Sequence, residues 1–293
     1  MDNINVLNRD NLYSKHHREE SKNVLTISCI GAGNMGSALV RGLIQSGTIQ
    51  PGAVKVFDID PAKTFSLHQD FGVQALDRLQ DSAADSETVL ILAVKPQVLG
   101  GVLDTLADVL HEGMLVISIA AGISTAFILT RWGKSIRLVR AMPNAAATVG
   151  RSVTAICKGG AATDEDLALA SSLFSAIGYV VKVDESLMNA VTALASSGLG
   201  YLFVIMEALS DAGVLLGMDR QTARHLTVHM VRGAAVMASS SDAPFSALKD
   251  MITSPAGTTI AGLKVLEKEG LRGILMEAVE AANARAALMN PKQ

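Results

Sequence analysis

Three glycines spaced as G-x-G-x-x-G follow an apolar run near the beginning of the sequence. The segment VLTISCIGAGNMG, from Val24 to Gly36, places them at positions 31, 33 and 36. Glycine allows a sharp turn and the close approach of a pyrophosphate, and the positive end of the following helix attracts phosphate. The pattern predicts a nucleotide-binding turn. Its candidate cofactor-binding residues are Gly31, Ala32, Gly33, Asn34, Met35 and Gly36.

An acidic residue, Asp58, ends the second predicted strand. A carboxylate at that point can accept hydrogen bonds from an adenosine ribose, and this favours the unphosphorylated cofactor NADH over NADPH. Two alternatives stay open. Asp58 is a solvated loop acid, or Lys63, one helical turn further on, offsets the charge of a 2′-phosphate.

A second candidate site is the segment TSPAGTT, from Thr253 to Thr259, which precedes a predicted helix. With Ser254 as N-cap and Pro255 at the first helical position, the free N–H groups of residues 256–258 would form a socket for a carboxylate. Gly257 inside the first turn favours the close approach of a ligand, because glycine is otherwise costly in a helix. A well-capped helix without a ligand is the alternative interpretation.

Composition and charge exclude several classes of protein. The 293 residues carry a formal net charge of -3 without a cluster of Lys and Arg, so we expect neither a nucleic-acid nor a membrane partner. Cys29 and Cys157 lie in apolar runs without Cys or His at ligand spacing, so we expect no disulfide and no metal site. This usage is typical of the reducing cytoplasm. Residues 1–22 lack the apolar stretch of a secretory signal and are predicted to be a flexible extension.

Short β-branched runs alternate with helical patterns up to residue 183. The predicted strands are 24–30, 54–58, 88–94, 114–119, 136–140, 152–157 and 179–183. This alternation is typical of an α/β domain in which crossover helices wind a parallel sheet, and the ligand lies beyond the carboxyl ends of the strands. Further candidate cofactor residues follow three of these strands: Ala93, Val94, Lys95, Pro96, Ala120, Ala121, Gly122, Met142 and Pro143.

Helical patterns replace the strands from residue 186 onward. The predicted helices are 187–195, 200–216, 220–238, 244–251, 258–269 and 271–289. The helix 201–216 is apolar nearly all round, which predicts a partner subunit that covers it; burial by helices of the same chain is the alternative. The expected organisation is therefore an extension over 1–22, a dinucleotide-binding domain over 23–184 and a helical domain over 185–293.

Six motifs are spaced along both predicted domains. They are IGAGNMG (30–36), AVKPQ (93–97), IAAGI (119–123), RAMPN (140–144), EALSDAG (207–213) and LKDMITSPAGTTIAGL (248–263). The ordered set resembles the pyrroline-5-carboxylate reductases, and the resemblance extends from about Val24 to Met289. It implies a Rossmann domain followed by a helical domain through which subunits dimerise, often with assembly of dimers into rings.

The resemblance also implies the chemistry and its residues. A hydride would pass from NADPH or NADH to the C5 imine carbon of Δ1-pyrroline-5-carboxylate, and L-proline would result. Ala256, Gly257 and Thr258 would hold the substrate carboxylate, with Ser254 as a further substrate-binding residue. Thr259 would be the catalytic residue, because its hydroxyl would polarise and orient the imine. In the family, the cofactor and this helix come from different subunits, so dimerisation would be necessary for activity.

Two departures from the family pattern bear on substrate fit. The chain has SSGLGY at 196–201 where the family has GSGPAY, and SPAGTT where the family has SPGGTT. We expect alanine in place of glycine at position 256 to have only a small effect, because a helical φ accepts alanine without strain. A reductase of a related cyclic imine carboxylate and a non-catalytic cofactor-binding relative remain alternatives. A β-hydroxyacid dehydrogenase is disfavoured, because it needs a basic Lys and residues 184–247 contain none.

Overall fold

An eight-stranded sheet forms the first part of the chain. The computed structural model describes residues 25–83, 88–111, 113–132 and 136–289, so the predicted extension 1–22 lies outside the described residues. The strands are β1 (Thr26–Ile30), β2 (Val54–Phe57), β3 (Gln74–Ala75), β4 (Thr88–Leu92), β5 (Leu115–Ser118), β6 (Arg137–Met142), β7 (Ser152–Gly160) and β8 (Gly178–Lys182). Their order in the sheet is β3-β2-β1-β4-β5-β6-β7-β8. The order reverses direction between β1 and β4, where open sheets of this kind bind their ligands.

Five helices cover the two faces of this sheet. They are α1 (Asn34–Gln45), α2 (Pro61–Phe71), α3 (Pro96–Leu106), α4 (Thr125–Trp132) and α5 (Asp164–Ser175). Side chains of a strand alternate between the two faces, so Ile27 and Cys29 enter one buried apolar cluster, whereas Ile30 enters the other. Both clusters are built from β-branched and leucine side chains. The predicted α/β class is confirmed.

The pairing of β6 with β7 is antiparallel, with Met142 opposite Ala155. The sheet is mostly parallel, as predicted, and this pair is the exception among the described strands. The connection 143–151 contains only a 3₁₀ turn, Ala145–Val149. A parallel crossover needs about a dozen residues or more, so the chain turns back instead. The other neighbouring strands pair in parallel.

The second part of the chain is helical. After a 3₁₀ turn, Glu185–Leu187, come α6 (Met188–Val191), a π-turn (Thr192–Ser196), α7 (Ser197–Leu215), α8 (Arg220–Ser239), α9 (Phe245–Met251), α10 (Thr258–Lys268) and α11 (Leu271–Leu288). The first two predicted helices of this part are in fact one helical run through the π-turn. Gly198 and Gly200 do not break it, because both lie at helical positions inside α7.

Helix α7 has little cover within one chain. Ser210 is its only buried residue, whereas Leu202, Phe203, Val204 and Leu209 are exposed. The alternative that other helices of the same chain bury this face is therefore wrong. By length and composition alone, the run 185–215 is also long and apolar enough to cross a membrane. An apolar face of this size needs a partner surface.

Candidate active site

The glycine-rich turn after β1 has the shape that the sequence predicts. Gly31 adopts a φ of +105°, and a methyl group there would lie 2.6 Å from the Ala93 carbonyl oxygen. A methyl group on Gly36 would collide with the Gly31 carbonyl. These two glycines therefore serve the turn itself and the close packing of α1 on the sheet.

Gly33 differs from the other two glycines of the turn. It is exposed, it is the N-cap of α1, and a methyl group on it would meet nothing within 4 Å. An open space at the N-terminus of a helix offers unpaired N–H groups and the positive end of the helix dipole. The residues of this turn therefore fit the pyrophosphate of a dinucleotide.

The loops that follow neighbouring strands lie next to this turn. The Gly31 amide donates to the Phe57 carbonyl at 2.7 Å, and the Ala93 amide donates to the Ile30 carbonyl at 2.8 Å. The Ile119 amide donates in the same way to the Leu92 carbonyl. These backbone bonds hold the carboxyl ends of β2, β1, β4 and β5 side by side.

Asp58 lies directly against the turn. Its Oδ2 accepts a hydrogen bond from the Ala32 amide at 2.7 Å, and its Oδ1 accepts one from the Asp60 amide at 2.9 Å. The Lys63 Nζ lies 3.6 Å from Oδ1, and the Asp58 side chain is only 10% exposed. The alternative of a solvated loop acid is therefore wrong, whereas Lys63 is close enough to share its charge with Asp58.

The other predicted cofactor residues occupy the same edge of the sheet. Ala93 and Val94 are half-buried, and exposed Lys95 is the N-cap of α3, with Pro96 as its first residue. In the next loop Ala120 is buried and Ala121 is half-buried. Gly122, at a φ of +73°, is packed by helix α11, because a methyl group there would lie 2.7 Å from the Met289 Cβ.

Met142 and Pro143 are buried at the carboxyl end of β6. The Met142 side chain belongs to a small apolar cluster with Cys157 and Met188. It therefore packs towards the helical part of the chain. This cluster is one of the places where the two parts of the chain meet.

The segment before α10 differs from the sequence-based expectation. The helix begins at Thr258 and its N-cap is Gly257, so Ser254 is not the N-cap and Pro255 lies outside the helix. The Gly257 amide already donates to the Ser254 carbonyl at 3.1 Å. The free N–H groups of the first turn therefore belong to residues 258–260. From the sequence they are expected at residues 256–258, two positions earlier.

Ala256 has a φ of +56°, in the left-handed region. The expectation that it adopts a helical φ without strain is wrong, because the chain turns sharply before α10 begins. A methyl group on Gly257 would collide with the Ser254 hydroxyl. Glycine at 257 is thus explained by a neighbour in the same loop, rather than by a ligand.

Thr259 is half-buried in the first turn of α10. Among the described residues, the hydrogen bonds of the segment 253–270 all run to partners within 249–274. Nothing in these bonds ties the anion socket to the glycine-rich turn of the same chain. The two candidate sites are thus built on separate parts of the fold.

The two cysteines are not suited to nucleophilic chemistry. Both are free and buried. Burial, together with the nearby Asp58 charge, raises the pKa of Cys29 to about 12, and burial is also the main cause that raises the pKa of Cys157 to about 11. Both thiols stay protonated at neutral pH. In the described part of the chain, no three His, Cys, Asp or Glu residues are placed to hold a metal ion.

Comparison with known proteins assigns the family. Residues 26–122 match the family described as NADP oxidoreductase coenzyme F420-dependent, and residues 185–289 match Pyrroline-5-carboxylate reductase dimerisation. A pyrroline-5-carboxylate reductase of Methanosarcina acetivorans is 42% identical over 91% of this chain and 98% of the relative. The chain belongs to the pyrroline-5-carboxylate reductase family. Its members are NAD(P)H-dependent oxidoreductases, and the helical part of this chain is a self-association domain.

Solved structures agree with this family assignment. A pyrroline-5-carboxylate reductase from Coxiella burnetii superposes with a TM-score of 0.87 at 36% identity, over 92% of this chain and all of the other. The Plasmodium falciparum pyrroline carboxylate reductase, with NADP bound, superposes with a TM-score of 0.81 at 28% identity, over 91% of this chain and 98% of the other. The match spans both parts of the chain.

The sequence interpretation missed the polar residues at the junction of the two parts. The Glu185 carboxylate accepts from the Thr125 amide at 2.7 Å, from the Thr125 hydroxyl at 2.6 Å and from Arg140 at 3.1 Å. Burial alone would raise the pKa of Glu185, but these hydrogen bonds outweigh it and the pKa is lowered. Asn144 makes a similar link to Ala195.

The alternation of side chains in RAMPN could have indicated this junction. Arg140, Met142 and Asn144 are two residues apart, so they point to one side of an extended chain. That side faces Glu185, Met188 and Ala195, which lie along the first helical turns of the second domain.

Proposed function

We propose that the chain reduces the imine of Δ1-pyrroline-5-carboxylate to L-proline, the last step of proline biosynthesis. The observation that carries this proposal is that the chain has two open helix N-termini, one at Gly33 and one at Thr258. The chain also matches named pyrroline-5-carboxylate reductases along nine-tenths of its length. The first fits a dinucleotide pyrophosphate and the second fits a substrate carboxylate.

The cofactor would lie along the carboxyl edge of the sheet. The turn 31–36 holds the pyrophosphate, Asp58 faces the adenosine ribose, and the loops 93–96, 120–122 and 142–143 flank the nicotinamide half. When bound, the reduced nicotinamide supplies the hydride. The role of these loops is to orient the reacting atoms and to exclude water, which lowers the barrier without acid–base chemistry by the loops.

The substrate would lie at the N-terminus of α10. The carboxylate accepts hydrogen bonds from the N–H groups of residues 258–260, and the exposed Ser254 and Ala256, with the half-buried Gly257, shape the entrance. The Thr259 hydroxyl donates a hydrogen bond to the ring nitrogen, which gains electron density as the C5 carbon receives the hydride. The nitrogen takes up one proton from solvent, and the secondary amine of L-proline results. A fixed dipole at that position stabilises the transition state more than the ground state.

We propose further that the two halves of one active site come from different subunits. The hydrogen bonds of the α10 segment are local, and the apolar face of α7 lacks cover in one chain. A dimer built through residues 185–289 would cover this face and bring α10 to the cofactor edge of the partner. Analytical ultracentrifugation should then find an obligate dimer or a ring of dimers, and an active monomer at micromolar concentration would contradict the proposal.

We propose NADH as the preferred cofactor. The nearly buried Asp58 carboxylate lies beside the turn where the ribose would be placed, and a carboxylate repels a 2′-phosphate. Lys63 partly neutralises Asp58 and Asp60, from which its Nζ is 3.6 Å and 3.5 Å away, so NADPH is accepted as the weaker cofactor.

Steady-state kinetics with both cofactors test the activity. The purified chain should oxidise NADH and NADPH in the presence of pyrroline-5-carboxylate, and chiral chromatography should identify L-proline as the product. A parallel assay with a six-membered cyclic imine carboxylate tests the related-substrate alternative. If both cofactors bind but neither imine is reduced, the chain is a non-catalytic relative.

We also propose a cytoplasmic location and a division of the chain into units 23–184 and 185–293.

A further inference from the structure

The carboxyl end of β6 carries a side chain that binds three separate segments. Asn144 is 4% exposed. Its Oδ1 accepts from the Ala146 amide at 3.2 Å and from the Val153 amide at 3.3 Å, and its backbone N–H donates to the Ser152 hydroxyl at 3.1 Å. These contacts fix the loop between β6 and β7.

The remaining polar group of Asn144 reaches out of the sheet domain. Its Nδ2 donates to the Ala195 carbonyl at 2.8 Å, 51 positions further along the chain. Ala195 lies in the π-turn Thr192–Ser196. A π-turn departs from regular helical pairing, so its carbonyls can accept from a side chain, and such turns are often found at functional sites.

The π-turn leads directly into the segment in which the chain departs from its family. Residues 196–201 read SSGLGY: Ser196 ends the π-turn and α7 begins at Ser197. The Ser196 hydroxyl is buried, and the described residues offer it no hydrogen-bond partner. Among the described residues, the Asn144–Ala195 hydrogen bond joins the π-turn to the carboxyl end of β6.

We propose that Asn144 is a positioning residue for hydride transfer. It holds the loop after β6, on the nicotinamide side of the sheet, at a fixed distance from the π-turn at the root of the helical domain. The inference rests on the proposed reduction of an imine. It adds a residue that touches neither substrate nor cofactor and acts by setting the geometry between the two domains.

Two substitutions remove the contact in different ways. Asn144→Ser keeps a short oxygen that can cap the Ala145–Val149 turn but cannot reach Ala195. Asn144→Asp keeps the size and both acceptor contacts of Oδ1, and it places an oxygen against the Ala195 carbonyl. Thr154→Val is the matched control, because it removes a buried hydroxyl that contacts Ser152 while the Asn144 side chain stays in place.

Hydrogen exchange by mass spectrometry on the full chain without cofactor gives the first readout. Both Asn144 variants should speed amide exchange across residues 192–199 by about tenfold relative to the control, because opening of the π-turn becomes easier. If Asn144 only stabilises its own loop, exchange will rise in 145–153 alone, and the proposal is overturned.

Single-turnover kinetics give the second readout. The variants should slow the hydride step by about tenfold or more, whereas KM for the nicotinamide cofactor should stay within about twofold, because the glycine-rich turn is unchanged. A hydride step equal to that of Thr154→Val would contradict the proposal. Failure of the unmodified chain to reduce pyrroline-5-carboxylate would instead contradict the proposed function. The amide-exchange result would still test whether the Asn144–Ala195 hydrogen bond stabilises the π-turn.

Discussion

The Asp58 carboxylate and the Ala32 amide are joined by a 2.7 Å hydrogen bond, 26 positions apart in the chain. The bond ties the end of β2 to the glycine-rich turn after β1. It holds a negative charge at the place where the adenosine ribose of a dinucleotide would lie. We propose that this side chain, which shapes the binding turn, also sets the cofactor preference.

Asp58→Ser should shift the ratio of kcat/KM values towards NADPH. Repulsion between a carboxylate and a 2′-phosphate costs about 1 to 3 kcal/mol, so a shift of roughly 5- to 150-fold is expected. Asp60→Ser is the control, because it removes a neighbouring charge near Lys63 and keeps an N-cap oxygen for α2. An unchanged ratio in the Asp58 variant would place that residue away from the ribose.

Thr259→Ala should lower kcat/KM by roughly 10- to 100-fold, with cofactor affinity nearly unchanged. The lost hydrogen bond to the ring nitrogen is worth about 1 to 3 kcal/mol in a dry site. Thr259→Ser keeps the hydroxyl and should lose much less. If the Ala and Ser variants lose activity equally while folding is intact, then packing of the methyl group matters more than the hydrogen bond.

Ala256→Gly should raise the free energy of unfolding by about 1 kcal/mol. A left-handed φ costs an L-residue with a Cβ about 1 to 2 kcal/mol, and glycine avoids that cost at the expense of a more flexible unfolded chain. Ala261→Gly is the matched control inside α10, where glycine should destabilise by about 1 kcal/mol. Urea unfolding of the two variants measures the difference. Loss of stability in both would refute strain at residue 256.

Asp166→Asn should destabilise the sheet domain by about 2 kcal/mol at neutral pH. The Asp166 side chain is 1% exposed, and it accepts from Arg137 and from the Thr163 amide. The matched variant Asp164→Asn affects an 85% exposed carboxylate paired with Lys158 and should cost much less, because solvent screens an exposed ion pair.

The pH dependence gives the Asp166 prediction a second readout. The hydrogen bond from Arg137 is the main cause that lowers the pKa of Asp166 below its ordinary value of 3.8. The stabilisation is therefore complete above that value and is lost as the pH falls through the lowered pKa. Denaturant midpoints of the unmodified chain and Asp166→Asn should differ at pH 7, and the difference should shrink only as the pH falls below about 4. A gap that is constant with pH would argue against an ionised Asp166.

Local patterns determined much of this protein from the sequence alone. The β-branched runs placed seven of the eight strands. The spacing of Gly31, Gly33 and Gly36 predicted the turn after β1, where Gly31 and Gly36 have no room for a methyl group. The missed strand, β3, has two residues, which is too short for an alternating pattern. The need of α7 for a partner surface was visible in the same way, since the sequence of this helix is apolar nearly all round.

The tertiary structure decided the features that depend on contacts between residues distant in the sequence. β7 runs antiparallel to β6, and Ala256 has a left-handed φ. Both depend on how the chain packs against neighbouring segments, which the residue types at these positions do not specify. The bonds Asp58–Ala32 and Asn144–Ala195 join positions 26 and 51 residues apart, and sequence spacing carries no signal for such pairs. The first forms where the carboxyl ends of β1 and β2 lie side by side, and the second forms where the sheet packs against the helical part.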